Sequence, residues 1–413
     1  MPPRLILTGQ HPSLDPAEFG LGNYFVERLD CPGEANPDSH AKSVASAVAR
    51  RLAGVDLLIV QGDTSSALGA AMAAFAAGTP VAHVEAGLRT HDFALPWPEE
   101  GYRTTIDANA DLLFAPTAGA AANLASEKVR GAVHVTGNSG IDALLRVERR
   151  LPAAPLRDRA MPRLLVTCHR RESWGAGLRE IASALIAIAA EGLAEIDVVL
   201  HPNAHVAATM HDLLGGSRGI SLLAPLGHSE LVLRMRDCAL ILSDSGGIQE
   251  EAPALGTPLL VLRGITERPE GIASGNMRMV GTSSAAIVAE VRRLLRDPAA
   301  RAAMSRPALP YGDGHAGPRI AAIIGEWLAL RGADIMPLGA LVSPKQSTMR
   351  EPMSDLSILE RAFALAQSGQ CSGIDDIRRK LKSERYESID QHLAGPSIKR
   401  QLNQLCLAAK AAE

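Results

Sequence analysis

Aromatic rings and unbalanced charge are both scarce in this chain. Only 6 Phe, 3 Trp and 4 Tyr stand among 413 residues, and 42 Lys and Arg against 45 Asp and Glu leave a net charge of −3. A sequence-independent nucleic-acid surface needs excess cations to displace counterions and rings to stack on bases, so no nucleic-acid partner is expected. The 5 cysteines (Cys31, Cys168, Cys238, Cys371 and Cys406) are odd in number and scattered, with no C-x-x-C pair. Neither a disulfide framework nor a cysteine zinc site is indicated. Long hydrophobic runs are missing as well: Leu57-Leu58-Ile59-Val60 is of core-strand length, far below the ~20 residues of a bilayer span, and Met-Pro-Pro-Arg opens no signal-peptide core. A soluble, cytoplasmic protein without membrane contact is expected. What the chain does have is 46% hydrophobic residues, enough for two cores of ~150–200 residues each.

Short β-branched or leucine-rich runs alternate with longer Ala/Leu segments of helical spacing, the pattern of parallel β/α units. In the first half the strands fall near Arg4–Thr8, Val55–Val60, Pro80–Val84, Leu112–Ala115 and Ala132–Val135. The helices fall near His40–Leu52, Ser65–Ala77, Glu99–Asn109, Ala118–Ser126 and Asn138–Arg149. Arg149-Arg150-Leu151-Pro152-Ala153-Ala154-Pro155 interrupts this rhythm as a linker. Strands near Leu164–Thr167, Ile196–Leu200, Ile220–Leu223, Ala239–Ser243 and Pro258–Leu262 then restart it. The expected organisation is α/β: a Rossmann-like domain over 1–150, a second over 151–310 facing it across a cleft, and a closing helix over 311–333. A linker over 334–354 follows, then a small helical module over 355–413, where Leu356, Ile358, Leu359, Ile374, Ile377, Leu381, Leu402 and Leu405 fall in helical stripes.

The chemistry-bearing residues cluster after strand ends. Asp63 follows the Val55–Val60 run in Gly62-Asp63-Thr64-Ser65-Ser66, although helix capping alone would account for Asp, Thr and Ser there. Glu85 follows the next strand in His83-Val84-Glu85-Ala86-Gly87-Leu88-Arg89-Thr90. Glu99 and Glu100 open a helix after Pro96-Trp97-Pro98, where the dipole favours carboxylates. Acidic positions from consecutive strand ends converging on one cleft favour acid/base chemistry. In the second half, His169-Arg170-Arg171-Glu172 forms an anion-facing loop. His201 and His205 are four apart, but Pro202 takes His201 off the helix, and no metal site is expected. Leu242-Ser243-Asp244-Ser245-Gly246-Gly247 ends a strand in small residues at a helix N-terminus, a diphosphate site that is neither a Walker A loop nor G-x-G-x-x-G. Glu251 lies one turn into that helix, within reach of ribose hydroxyls, and Arg268 adds a cation to the same wall.

The ordered segments G-D-T-S-S, H-V-E-A-G-L-R-T, P-W-P-E-E, H-R-R-E-S-W-G, D-S-G-G-I-Q-E-E-A-P, T-E-R-P-E and Y-G-D-G-H-A resemble the non-hydrolysing UDP-N-acetylglucosamine 2-epimerase family, from about Leu5 to about Leu330. The resemblance implies two Rossmann-like domains of the GT-B type, no cofactor, and interconversion of UDP-GlcNAc and UDP-ManNAc by elimination of UDP to 2-acetamidoglucal and re-addition. It implies Asp63, Glu85, Glu99 and His169 as the acid/base group, and Ser245, Gly246, Gly247, Glu251, Arg268, Arg103 and Arg170 as substrate-binding residues. It also implies a homodimer, and a second UDP-GlcNAc bound as activator near Gln10 and His11.

Three departures from that family stand out. The chain starts at what looks like the family's second strand, so a gap between Arg4–Thr8 and Val55–Val60 is expected in the first sheet. The Gln10-His11 loop continues Pro12-Ser13-Leu14-Asp15 instead of with charges. Tyr102 replaces an Asn before Arg103. Three other readings stay open beside the epimerase: a hydrolysing 2-epimerase releasing ManNAc and UDP, a UDP-sugar-binding pseudoenzyme without turnover, and a GT-B glycosyltransferase.

Overall fold

The computed structural model describes residues 3–10, 14–17, 21, 23–152, 161–168 and 175–333, the backbone of 18–19, and scattered positions between 361 and 409 that include all of 371–384. His11, His169, Arg170 and the expected linker 334–354 lie outside the described residues. The chain forms two compact units, Met1–Met336 and Pro337–Glu413.

In the first unit, β1 (Leu5–Leu7) pairs in parallel with β2 (Val26–Arg28). The strands β3 (Leu58–Gln61), β4 (Val81–Val84), β5 (Leu112–Ala115) and β6 (Ala132–Val135) form a separate four-stranded parallel sheet in that order. β1 shares no ladder with β3, which is therefore an edge strand, and Ile59 on it is 49% exposed. β4 and β5 are buried at every position, as strands covered on both faces of a parallel sheet must be. The helices α1 (Pro37–Ala49), α2 (Ser65–Ala77), α3 (Glu99–Asn109) and α4 (Ala118–Glu127) connect these strands. α1 starts three residues before the expected His40, because Asn36 accepts from the amides of Asp38 and Ser39 and Pro37 takes the first helical position. α2 carries Gly69 against α1, close enough that a Cβ there would lie 2.3 Å from the Ala41 carbonyl oxygen.

The second sheet has six parallel strands. These are β7 (Arg163–Thr167), β8 (Glu195–Val199), β9 (Ile220–Leu223), β10 (Leu240–Ser243), β11 (Leu259–Val261) and β12 (Met277–Met279), in the order β9-β8-β7-β10-β11-β12. The order reverses between β7 and β10, which opens a ligand crevice at their carboxyl ends. There Thr167 Oγ1 and Ser243 Oγ are hydrogen-bonded at 2.6 Å. The helices are α5 (Ser139–Glu148), α6 (Ala176–Ala190), α7 (Ala204–Leu214), α8 (His228–Asp237), α9 (Gly246–Leu255), α10 (Pro269–Ala273), α11 (Ser284–Arg296), α12 (Pro298–Met304) and α13 (Ala316–Ala333). β2 and β12 were not expected from the sequence; each is three residues long and interrupted by charge, V-E-R and M-R-M.

The two halves exchange helices. Ile141 and Leu144 of α5 pack into the core of the second sheet with Leu165, Val232 and Ile241. Ile320, Ile323 and Trp327 of α13 return to cover Ala82, Val84, Leu112 and Phe114 of the first. Asp142 of α5 receives the α13 amides of Ala316 and Gly317 at 3.0 and 2.7 Å, a carboxylate at the positive end of a helix dipole. Among the described residues, no helix is long and apolar enough to cross a membrane.

The second unit has its own small core, which includes Leu365, Cys371, Ile377, Leu381, Leu393, Leu402 and Cys406. Its helix α14 (Ile374–Ser383) places Asp375 and Asp376 at its first turn and Lys380 and Lys382 at its last, both complementing the dipole.

Two glycine substitutions of opposite sign test this packing. Gly69→Ala forces α1 from α2 and is expected to lower stability by about 3 kcal/mol. Gly325→Ala, in mid-α13 with open space around it, is expected to raise stability by about 1 kcal/mol through helix propensity. Urea-unfolding midpoints of the two variants check both.

Candidate active site

Thr64, not Asp63, caps α2: its Oγ1 accepts from Ala67 N at 3.2 Å. The Asp63 carboxylate is left for chemistry and pairs with Arg103. Arg103 is buried on α3, and its other nitrogen reaches Glu100 at 3.3 Å. Glu99 and Glu100 then separate by helical phase. Glu100 is 1% exposed and spends its carboxylate on the amides of Thr90 (3.0 Å) and His91 (2.9 Å), fixing the loop before α3. Glu99 opens α3 one turn before Arg103, on the same face.

Glu85 sits at the carboxyl end of β4 in a left-handed backbone conformation, φ +71°, which costs a non-glycine residue roughly 1–2 kcal/mol. The Glu85 and Ala86 amides both donate to Phe114 O at 3.1 Å and hold it there. A Cβ on Gly62 would lie 3.6 Å from Glu85 Oε2, so this carboxylate overhangs the Gly62-Asp63 turn. Its Oε1 accepts from Arg268 Nη2 at 3.0 Å, across the two halves of the unit. Burial pushes the Glu85 carboxyl pKa up, with Arg268 acting in the opposite direction and Asp63 reinforcing the rise.

Arg268 is the centre of the arrangement. Only 6% exposed, it pairs with Glu250 through Nε at 2.6 Å, with Glu85, and with Glu267. It lies flat against the start of α9, where a Cβ on Gly246 would come within 2.8 Å of its Nη1. The first turn of α9 adds the positive end of its dipole. Ser245 is the N-cap, but its hydroxyl caps nothing, and a Cβ on Gly247 would meet open space. A guanidinium beside uncommitted amides and a free hydroxyl is suited to an anion. Tyr311 fixes Arg268 from behind: its buried hydroxyl donates to Arg268 O at 2.9 Å and accepts from Gly271 N at 2.8 Å. Glu251 points the other way from Glu250 and pairs with His228 Nε2 at 2.8 Å.

Of the expected residues, Asp63, Glu85, Arg103, Arg268, Ser245, Gly246 and Gly247 are thus joined through two guanidiniums and one helix start. Gln10 lies beside the start of α2, where its Oε1 accepts from Ser66 Oγ at 2.6 Å. His201 precedes α7, as Pro202 implies, and its Nδ1 accepts from Asn203 N. Sequence reasoning passed over Glu250, Glu267, His83 and Asp107. Glu250 and Glu267 were inside quoted motifs, beside the residues that were chosen, and His83 opened one. Asp107 had no signal beyond being a carboxylate in mid-helix.

Comparison with known proteins adds three findings. A family model described as UDP-N-acetylglucosamine 2-epimerase matches residues 1–325. The UDP-N-acetylglucosamine 2-epimerase of Escherichia coli K12 is 44% identical over 279 residues, 64% of this chain and 74% of that protein. The crystal structure of UDP-GlcNAc 2-epimerase from Neisseria meningitidis bound to UDP-GlcNAc is similar with a TM-score of 0.69 and 30% identity, covering 78% of this chain and 99% of that one.

The buried Glu250 carboxyl, pushed up to about 8 chiefly by its burial, gives the site a pH signature. Below its usual value of 4.5 the group is protonated folded or unfolded. Between 4.5 and about 8 the folded protein holds a proton that the unfolded chain has lost, so this contribution to stability falls as pH rises. Melting temperatures across that window are expected to fall more steeply for the wild-type chain than for Glu250→Gln.

Proposed function

The chain belongs to the UDP-N-acetylglucosamine 2-epimerase family, with two Rossmann-like domains in the GT-B arrangement, and from that premise we propose how its own residues interconvert UDP-GlcNAc and UDP-ManNAc. The C2 proton of the sugar has no neighbouring carbonyl to acidify it, so direct removal by a carboxylate would be too slow. Breaking the C1–O bond to UDP solves this, because the positive character developing at C1 acidifies C2–H. The bonding pair leaves with UDP, the C2 proton goes to a carboxylate, and the C1=C2 double bond of 2-acetamidoglucal forms. Re-addition of UDP, with a proton delivered to the opposite face of C2, completes the epimerisation.

One observation carries this assignment: Glu85, a candidate base, is 3.0 Å from Arg268, the cation at the diphosphate site. The base and the leaving-group clamp are adjacent although they come from different sheets. In this reading Ser245 and the Gly246 and Gly247 amides hold the phosphates, Arg268 stabilises their departing charge, and Glu251 takes the ribose hydroxyls. Asp63, paired with Arg103, supplies the second carboxylate, with Glu99 on the same wall. His169, Arg170, the activator site at Gln10 and His11 and a homodimer rest on the family resemblance, and a cytoplasmic setting rests on the sequence's lack of long apolar runs.

Incubation with UDP-GlcNAc in D2O, followed by NMR, is expected to show loss of the C2 proton signal and appearance of UDP-ManNAc. Asp63→Asn and Glu85→Gln should each slow both by about 10²-fold or more. Stoichiometric free UDP with free ManNAc, or no exchange by the wild-type chain, would overturn the assignment. Ser245→Ala should weaken UDP binding about 10-fold or more, the loss of a hydrogen bond to a charged group. Its melting temperature should not change, since the hydroxyl caps nothing.

A further inference from the structure

We propose that Asp107 is a positioning residue for the epimerisation, holding the Asp63 and Glu85 loops in one register through His83. The inference rests on the reaction assigned above and concerns groups beneath the site rather than in it. Asp107 and His83 are both fully buried. One carboxylate oxygen of Asp107 accepts from His83 Nδ1 at 2.6 Å; the other accepts from Gly87 N at 3.1 Å and pairs with Arg89 Nη2 at 2.8 Å. The far nitrogen of the same imidazole, His83 Nε2, donates to Gly62 O at 2.9 Å.

The protonation of this pair follows from the partners. A backbone carbonyl can only accept, so Nε2 carries a hydrogen. Asp107 already accepts from an amide and a guanidinium, so it is a carboxylate and takes the Nδ1 hydrogen as well. His83 is therefore an imidazolium. Its pKa is raised accordingly: burial opposes the charge, but the hydrogen bond to Asp107 and that group's negative charge outweigh it. Arg89 carries the balance outward to Glu127, with both bonds at 2.7 Å, leaving two cations against two anions.

The two ends of this chain are next to the reacting groups. Gly62 immediately precedes Asp63. Gly87 lies two residues after Glu85, whose left-handed backbone needs holding from both sides: Phe114 O fixes its amide and Asp107 fixes the turn that follows. α3 also carries Glu99 and Arg103, the partner of Asp63. One side chain on one helix thus ties together the placement of all the candidate carboxylates in the first half of the unit. A shift of about 1 Å at such groups costs on the order of 10²-fold in rate.

The test compares the full chain with Asp107→Asn and His83→Gln. Turnover and C2 exchange are measured with UDP-GlcNAc, and UDP binding by calorimetry. The diphosphate site is on the other sheet, so kcat is expected to fall about 10²-fold while KM and the Kd for UDP stay within about threefold. The double variant should be no slower than the slower single variant, because both remove the same link. A wild-type chain that neither exchanges nor epimerises would overturn the assigned reaction. An active wild type whose folded variants keep kcat within about threefold, or whose losses add in the double variant, would overturn the positioning role. Should Asp107→Asn fail to fold, His83→Gln, which keeps a neutral donor and leaves Asp107 its other partners, reads the same split between kcat and KM.

Discussion

A buried cation organises this molecule. Arg268 is almost wholly withdrawn from water, and a guanidinium in that position is tolerable only if carboxyl groups surround it. Glu250 and Glu267 come from its own domain and Glu85 from the other, so the demand of one charge for partners is also a link between two sheets. The same demand explains nearby details that otherwise look unrelated. Gly246 has no side chain because the guanidinium occupies that space. Tyr311 is buried with its hydroxyl on the Arg268 carbonyl, which places the Y-G-D-G-H-A segment directly behind the cation.

The chain crossing reinforces that link. Asn138, at the start of α5, donates from its backbone to Tyr311 O at 2.6 Å and from its side chain to Glu250 Oε2 at 2.7 Å. It therefore joins the segment leaving the first domain to the one returning from the second. α5 and α13 then each pack on the domain from which they are more distant in sequence, with Asp142 stitching their ends. A site whose groups come from both sheets needs this kind of exchange, because the two sheets have no shared ladder to hold them in place.

Most of the scaffold was legible in the sequence, for a reason visible in its central strands. V-A-H-V and L-L-F-A are buried throughout and their runs are nearly pure, whereas β2 and β12 are short, charged edge segments that alternate like loops. The parts of the site that follow strand ends were legible too, because Asp63, Glu85 and Arg268 stand where the fold places ligands. Its supports were not. Asp107 in T-T-I-D-A-N has the spacing of a solvated helix face, and its partner His83 is 24 residues away. Glu250 and Glu251 are neighbours in sequence, and only the phase of α9 sends one to Arg268 and the other to His228. Polar groups buried against each other leave no periodic trace, since their pairing is settled by tertiary contact.

The two candidate carboxylates of the first domain differ in a way that suits a reaction with a proton on either face of one carbon. Asp63 has Arg103 as its partner, a cation held within the same domain by Glu100 and the Leu88 carbonyl. Glu85 instead shares Arg268 with the proposed diphosphate site. Phosphates entering that site would compete for the same guanidinium, whose pull offsets part of the rise that burial and the nearby Asp63 charge give the Glu85 pKa. Each contact that Arg268 gives to the leaving group is drawn from Glu85. In the proposed reaction, then, the carboxylate becomes more basic as the substrate docks, which favours its taking the C2 proton.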